Sequence, residues 1–171
     1  MTVREITTLP QAILRRKARK VSDFGTDFQI LVDDMVETMR QAPGVGLAAP
    51  QVNESIRLIV VEYGDEENEE TPPKLYILAN PEITRSSQDT LVGTEGCLSI
   101  PGVQGDVERL VAVTLKGLNR HGRPMTVKAK GWLARIFQHE IDHLDGVLFI
   151  DRAEILWQAE EHQGQVMPDM V

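Results

Sequence analysis

The sequence is poor in cysteine, in aromatic residues and in long apolar runs, and these shortages exclude several classes of protein. Cys97 is the only cysteine, so no disulfide can form within the chain, and a reducing compartment is favoured. The longest apolar runs, at residues 56–61, which include Arg57, and at residues 75–79, are far too short to cross a bilayer. The first residues contain no apolar signal segment. We therefore expect a cytoplasmic protein without a membrane partner.

Positive charge is scarce as well. The chain has 18 Lys and Arg against 26 Asp and Glu, which gives a net charge of -8. An acidic protein lacks the broad positive surface that grips nucleic acid, so we expect no nucleic-acid partner. Hydrophobic residues form 42% of the 171 residues, and no Pro/Gly/Ser-rich linker divides the chain. Residues 1–171 are therefore predicted to form one domain, whose tail from about residue 152 is poorly specified.

Apolar periodicity predicts an α+β fold. Residues 26–39 carry apolar side chains at helical spacing, which predicts an early amphipathic helix, with Thr26 and Gln29 offering a capping box. Residues 56–63 and 75–77 are predicted to be strands, and residues 111–129 a β-hairpin. After Gly131 the pattern becomes helical again and lasts until Gly146. Mostly antiparallel sheets packed around this late helix are expected.

The late helix carries the most informative motif, His139-Glu140-Ile141-Asp142-His143. Two histidines four residues apart share one helix face, and Glu140 lies beside them. With Cys97 they supply three candidate metal ligands, one fewer than a closed structural zinc site requires. Three ligands leave an open position for water or substrate, as in a catalytic metal site. A small buried apolar role for Cys97 is the competing interpretation.

Other classes of metalloprotein can be weighed against this motif. A zinc metallopeptidase of the metzincin type is the main alternative, but its last histidine would fall at Phe149. A thermolysin-like enzyme needs a downstream glutamate, for which only Glu154 and Glu160 are available. A binding module stabilised by metal would give Glu140 no role, and metal removal would unfold it.

Three segments stand out in order along the chain: Gly-Val-Gly-Leu-Ala-Ala-Pro-Gln at residues 44–51, Glu-Gly-Cys-Leu-Ser at residues 95–99 and Gln-His-Glu-Ile-Asp-His at residues 138–143. Together they resemble the signature motifs of peptide deformylases. The resemblance extends from about residue 10 to residue 151. It implies a hydrolase that removes the N-formyl group from the initiator formyl-methionine of nascent polypeptides and releases formate.

The resemblance also assigns roles to the metal-site residues. Cys97, His139 and His143 would hold one divalent ion, most often Fe²⁺ in the family, with Zn²⁺, Ni²⁺ or Co²⁺ as substitutes. Thiolate and imidazole ligands suit iron and zinc alike, so ligand type does not select the metal. A metal-bound water would attack the formyl carbonyl, with Glu140 as general base.

Two further groups are expected to stabilise the negative oxygen that develops on the formyl group. By the resemblance they are the side-chain amide of Gln51 and the backbone N–H of Leu98. Without the resemblance, Gln51 would be interpreted as a polar residue that caps a loop after Pro50. The resemblance also implies that Val45 and Gly46 pair with the substrate backbone as an added strand.

The methionine side chain needs an apolar pocket near the metal. Trp132 and Ile136 lie on the histidine stripe and are the candidate walls, although core packing explains their spacing equally well. Arg135 could border the pocket, face solvent or pair with an acid. Glu95 and Asp142 are candidate partners for the second ring nitrogen of each ligand histidine.

The stretch after Phe149 departs from many family members, which end in a long basic helix associated with ribosome contact. Here the stretch carries one basic residue, Arg152, against the acids Asp151, Glu154, Glu160, Glu161 and Asp169. We expect a monomer that acts transiently near the ribosome without a basic tail.

Overall fold

Strands dominate this computed structural model, which describes residues 1–159. The strands are β1 (Gly46–Ala48), β2 (Leu58–Tyr63), β3 (Lys74–Ser86), β4 (Thr90–Cys97), β5 (Ile100–Leu110), β6 (Ala112–Leu118), β7 (Pro124–Lys130) and β8 (Ile155–Gln158). The helices are α1 (Thr26–Gln41), α2 (Gly131–Leu144) and α3 (Phe149–Arg152). Within residues 1–159 no helix is long and apolar enough to cross a membrane. The acidic residues 160, 161 and 169 lie outside the described residues.

The strands form two sheets, and every pairing is antiparallel. The first sheet has the order β1-β2-β3-β6-β7, and the second has the order β4-β5-β8. Helix α2 contacts strands of both sheets, so a core lies on each side of it. The predicted α+β class, with antiparallel sheets around a late helix, is confirmed.

Helix α1 covers the other side of the larger sheet. Its apolar residues at helical spacing are buried against β1 and β2, with Val32, Met35 and Met39 having no exposed surface. The predicted capping box is wrong, because Gly25 is the N-cap and makes no side-chain hydrogen bond. Gln29 instead donates to the carbonyl oxygens of Phe24 and Arg120, so it ties the helix start to the β6–β7 turn.

Helix α2 is the most deeply buried element of the fold. Gly131 has a φ of +62°, a left-handed conformation that glycine adopts without strain, and it joins β7 directly to the helix. From Ala134 to Leu144 every residue is buried. Because the helix is surrounded by strands, its polar residues can find partners only inside the protein.

Sequence analysis missed the second sheet and shortened β3. The predicted strand at residues 75–77 continues to Ser86, past an irregularity at Asn80 and Pro81 where the pairing with β6 shifts register. Strands β4 and β5 lack apolar alternation because two buried positions are charged, Glu95 at 0% and Arg109 at 4% exposure. Beyond residue 148 the chain forms α3 and β8.

Candidate metal centre

Three side chains that are distant in sequence come together where β4 meets α2. The ligand atoms of Cys97, His139 and His143 all lie within 4.8 Å of one another, and all three residues are buried. Cys97 ends β4, where the register with β5 shifts. The two histidines are one helical turn apart on α2, with ring centroids separated by 5.0 Å. Cys97 Sγ lies 3.4 Å from His143 Nε2.

The ring of His139 is fixed on two sides. Its Nδ1 lies 2.8 Å from Glu95 Oε1, which makes Nδ1 the protonated nitrogen and leaves Nε2 with a free lone pair. Phe149, at the position of the last metzincin histidine, stacks on His139 with a centroid distance of 6.2 Å. Asp142, the other candidate partner, accepts hydrogen bonds from Arg109 and Arg152 instead.

Glu95 is a fully buried carboxylate with four donors. Arg109 donates to both of its oxygens, Arg135 donates to Oε2 and His139 to Oε1, at 2.7 to 2.9 Å. Burial opposes ionisation, but the hydrogen bonds from Arg109 and His139 outweigh it and hold the pKa of Glu95 far below its usual range. Glu95 therefore stays charged at neutral pH.

Other buried polar atoms of the site have no hydrogen-bond partner within residues 1–159. They are His139 Nε2, His143 Nδ1 and both carboxylate oxygens of Glu140. Unsatisfied buried groups are rare and costly, so their concentration at one place is typical of a binding site for a polar or charged group. A divalent cation would be coordinated by Nε2 of His139, and a water beside it would hydrogen-bond to Glu140. The residues therefore fit a metal ion with an open position.

Burial also sets the protonation of the metal-free site. It raises the pKa of Glu140 well above its usual range, and the nearby charge of Glu95 adds to this. It lowers the pKa of His143 well below its usual value, which keeps the imidazole neutral and able to bind a metal. It raises the pKa of the Cys97 thiol to about 12, so the thiolate needs the positive charge of a bound cation.

Strand β1 brings Gly46 of the first signature segment to the site. A Cβ on Gly46 would lie 2.6 Å from Glu140 Oε1, so only glycine allows β1 to approach the carboxylate this closely. Val45, which precedes β1, packs against the core cluster that contains Ile136, and Trp132 packs against the same cluster. By the resemblance, Gly46 would pair with the backbone of the substrate. In the described chain, its lack of a side chain makes room for the carboxylate of Glu140.

Gln51 lies in a short 3₁₀ turn after β1, and its side chain is fixed. Its Oε1 accepts the backbone N–H of Ala48 at 2.9 Å, which orients Nε2 toward the second signature segment. Nε2 donates to Ser99 Oγ at 3.1 Å and lies 3.7 Å from Cys97 Sγ. Leu98 follows Cys97 and packs against the α1 core. The fold thus brings Gln51 and the backbone of residue 98 close to the three candidate ligands.

The predicted pocket residues separate into two environments. Trp132 borders a cavity of about 330 Å³ between β4 and the start of α2, together with Arg135 and Gly93. Ile136 has no exposed surface and packs in the core, and it does not line this cavity. Arg135 pairs with Glu95 and its guanidinium lies 5.3 Å from the Trp132 ring centre, so it does not face solvent.

Sequence reasoning missed Arg109 and Gly93. Arg109 is 4% exposed and connects Glu95 to Asp142, with distances of 2.8 and 2.6 Å. An arginine in a strand is usually read as solvent-facing, and only the neighbouring buried valine, Val107, hinted at an inward face. Nothing in the sequence around Gly93 indicated its role, because the guanidinium that it makes room for belongs to Arg135 on α2.

Comparison with known proteins agrees with these motifs. The sequence profile described as Polypeptide deformylase matches residues 3–158. The peptide deformylase of Natranaerobius thermophilus is 47% identical over 161 residues, which is 94% of this chain and 99% of that protein.

Solved structures show the same fold. The peptide deformylase from Thermotoga maritima has a TM-score of 0.83 and 36% identity, over 91% of this chain and all of that chain. A class I type b peptide deformylase from Acinetobacter baumannii bound to Met-Ala-Ser has a TM-score of 0.81 and 37% identity, over 88% and 98% of the two chains. The extent of these matches and the three signature segments lead to one conclusion: the chain belongs to the polypeptide deformylase family.

Proposed function

We infer that the chain hydrolyses the N-formyl group of formyl-methionine at the start of nascent polypeptides and releases formate. Family membership over residues 3–158 supports the reaction. Within the site, the observation that carries the inference is the set of buried, partnerless atoms on His139 and Glu140 beside Cys97 and His143. This set suits an amide hydrolase that needs a cation, a water and a base together.

We propose that Cys97, His139 and His143 are the metal ligands and that Fe²⁺ is the physiological ion, with Zn²⁺, Ni²⁺ or Co²⁺ as substitutes. The family uses a divalent metal, and a softer thiolate with two imidazoles accepts all four ions. When bound, the cation lowers the pKa of a water and polarises the formyl carbonyl. Glu95 fixes His139 in the tautomer whose Nε2 can coordinate.

Glu140 is proposed as the general base and acid. One of its carboxylate oxygens would take a proton from the attacking water, and the same group would later deliver a proton to the departing amine. Its carboxylate has no hydrogen-bond donor within residues 1–159, so no partner competes for that proton. Burial raises the pKa of Glu140, so its carboxylate accepts a proton more readily than an exposed glutamate does.

Gln51 and Leu98 are proposed to stabilise the developing oxyanion. The hydrogen bond from Ala48 holds Gln51 Oε1, so that Nε2 points toward Cys97 before substrate arrives. A donor fixed in advance needs no reorganisation during the reaction, which is why such groups lower barriers effectively. The backbone N–H of Leu98 would be the second donor.

Substrate binding is proposed for four residues. The backbone of Val45 and Gly46 would pair with the peptide, while Trp132 and Ile136 would contact the methionine side chain. Trp132 supports the pocket assignment through the cavity that it lines. Ile136 lies one layer deeper, so its contribution would be to support the wall. The neighbour bound to Met-Ala-Ser carries a peptide that begins with methionine, which fits a deformylated product.

A formate-release assay with metal analysis of the same samples tests the proposal. The native chain should release formate from formyl-Met peptides faster than from formyl-Ala peptides and contain about one divalent ion. Cys97→Ala should lose the ion and the activity together, whereas His121→Ala, at an exposed turn, should keep both. Internal cleavage of unformylated peptides would indicate the zinc metallopeptidase, and full metal content in Cys97→Ala would exclude Cys97 as a ligand.

We further propose a monomeric single catalytic domain, residues 1–171, that works in the cytoplasm near the ribosome. The buried free thiol of Cys97 is compatible with a reducing compartment. Residues 150–159 are acidic overall, so we expect no basic anchor from this stretch. Light scattering tests the monomer. Binding to ribosomes that depends on the residues after 152 in a cosedimentation experiment would contradict the absence of an anchor.

A further inference from the structure

Arg135 is a buried arginine that has no role in the reaction proposed above. It lies one helical turn before His139 on α2 and is 4% exposed. Its guanidinium donates to Glu95 Oε2 at 2.7 Å, to the Val107 carbonyl at 2.8 Å and to the Leu91 carbonyl at 2.6 Å. Burying a guanidinium is costly unless it is paired, and each of these three bonds reaches a different strand position.

The bond to Glu95 completes the set of donors around that carboxylate. Oε1 accepts from His139 and Arg109, and Oε2 accepts from Arg109 and Arg135. A carboxylate has about four acceptor positions, so all of them are filled. Without Arg135, Oε2 would retain one donor, and the carboxylate could rotate away from His139.

Gly93 provides the space for this arrangement. A Cβ on Gly93 would lie 2.9 to 3.0 Å from the Cζ, Nε and Nη2 atoms of Arg135. Gly93 and Glu95 are two residues apart on β4, so they face the same side of the strand. Glycine at residue 93 therefore lets the guanidinium lie flat against β4 and reach the carboxylate.

We propose that Arg135 is a positioning residue: it holds Glu95, and through Glu95 it keeps His139 in the orientation that binds the metal. Gly93 leaves the space that the guanidinium of Arg135 needs to reach Glu95. The chain of contacts runs from the guanidinium to Oε2, through the carboxylate to Oε1, and on to Nδ1 of His139. A hydrogen bond on Nδ1 fixes both the ring angle and the tautomer, which decide how well Nε2 binds a cation. The proposal rests on the proposed ligand role of His139.

Two other roles for Arg135 make different predictions. Its bonds to the Leu91 and Val107 carbonyls could merely connect β4 and β5 to α2, in which case its loss would lower stability and leave the metal site unchanged. Its position in the cavity wall beside Trp132 could instead serve substrate binding, in which case its loss would raise KM alone. A measurement at the metal separates these roles from positioning.

The test uses the Co²⁺-loaded protein and the Arg135→Met variant, which keeps a long apolar side chain without the guanidinium. We expect Co²⁺ to dissociate about 10- to 100-fold faster, the range typical for loss of a group that supports a metal ligand. The visible spectrum of Co²⁺ should shift, and kcat should fall while KM changes little. Arg57→Met is the matched control, because Arg57 binds the Leu144 carbonyl at the other end of α2 and does not contact Glu95.

Gly93→Ala tests the same device without removing the charge. The added methyl should push the guanidinium off Glu95, so the Co²⁺ spectrum should shift in the same direction as in Arg135→Met. In the double variant the two changes should not add, and Gly93→Ala should alter the dissociation rate by less than about twofold in the Arg135→Met background. If Arg135→Met fails to fold, the Co²⁺ spectrum and dissociation rate can be measured in Gly93→Ala and Arg135→Lys instead.

An unchanged Co²⁺ spectrum and dissociation rate in folded Arg135→Met or Gly93→Ala would overturn the positioning role. A rise in KM with the same spectrum would overturn it too and would assign Arg135 to substrate binding. Failure of the native chain to bind Co²⁺ through His139 would instead refute the proposed metal site itself. The two failures are distinguishable because the second is measured on the unmodified protein.

Discussion

Glu95 and Glu140 are both fully buried glutamates beside His139, yet their surroundings are opposite. Glu95, on β4, accepts four hydrogen bonds, and its pKa is held far below the usual range despite burial. Glu140, on α2, has no donor within residues 1–159, and burial raises its pKa. Desolvation raises the pKa of both carboxyls, but the donors around Glu95 outweigh it there, whereas the charge of Glu95 adds to it at Glu140.

This difference in hydrogen-bond donors indicates which of the two carboxylates can transfer protons. A carboxylate saturated by two guanidinium groups is a fixed negative charge, because protonating it would break strong hydrogen bonds. A carboxylate without donors gains or loses a proton at little structural cost. The same helix thus carries His139, a proposed metal ligand that the first kind of carboxylate holds, and Glu140, a proposed base of the second kind. Mutations at Glu95 should affect both folding and metal binding, whereas mutations at Glu140 should affect turnover.

The largest effect is expected for Glu140→Ala. Formate release should fall about 10²- to 10⁴-fold, the usual contribution of a positioned general base. Metal content should stay near that of the native chain, because Glu140 is not a proposed ligand. The free energy of unfolding should not fall by more than the removed packing explains, since no hydrogen bond is lost. An active variant would remove Glu140 from the mechanism.

Glu95→Ala should lower stability, in addition to weakening metal binding through His139. It leaves Arg109 and Arg135 buried without their main counter-ion, which costs about 3–5 kcal/mol in comparable cases. Urea unfolding of the two glutamate variants side by side measures the contrast. Glu62→Ala is the control, because it breaks a far more exposed ion pair with Arg40. A loss at Glu95 no larger than at Glu62 would contradict the distinction between the two buried carboxylates.

How much of this contrast could be predicted depends on where the partners lie. The α2 motif was predicted from local spacing, since His139, Glu140 and His143 lie within one helical segment. Glu95 was only a candidate partner, because its donors come from β5 and α2 and the second sheet was missed. A strand whose buried positions are Glu95, Gly96 and Cys97 has no apolar alternation to reveal it. Arg135 stayed ambiguous for the same reason.

Gly46→Ala offers a milder way to disturb Glu140. The new methyl would lie 2.6 Å from Oε1, and the carboxylate is the flexible group that must move. A displacement of about 1 Å can cost on the order of 100-fold in rate, so kcat should fall while the unfolding free energy changes little. Gly64→Ala is the matched control, because nothing lies within 4 Å of its added Cβ. Equal kcat in the two variants would show that Glu140 tolerates the displacement.

The smallest effect concerns a third glutamate that contacts α2. Glu66, in the exposed acidic loop, accepts the backbone N–H of Trp132 at 2.8 Å in the first turn of the helix. A negative charge at a helix N-terminus contributes about 0.3–1 kcal/mol and is screened by salt. Glu66→Gln should therefore lower the unfolding free energy by about that amount, less so at high salt.

Glu69→Gln on the same loop is the control, since its side chain makes no hydrogen bond to α2 in the described chain. The Co²⁺ spectrum should be unchanged in Glu66→Gln, because the start of the helix is two turns from His139. A loss as large as that of Glu95→Ala would mean that charge at the helix end, and not saturation by buried donors, determines how glutamates stabilise α2. If the unfolding free energy fell by the same small amount in Glu66→Gln and Glu69→Gln, the loop would stabilise the protein only through its general negative charge. A salt-dependent loss of unfolding free energy in Glu66→Gln, without one in Glu69→Gln, would support a capping role for Glu66 at the start of α2. In that case, saturation by buried donors would be the feature that distinguishes Glu95 from Glu66 and Glu140.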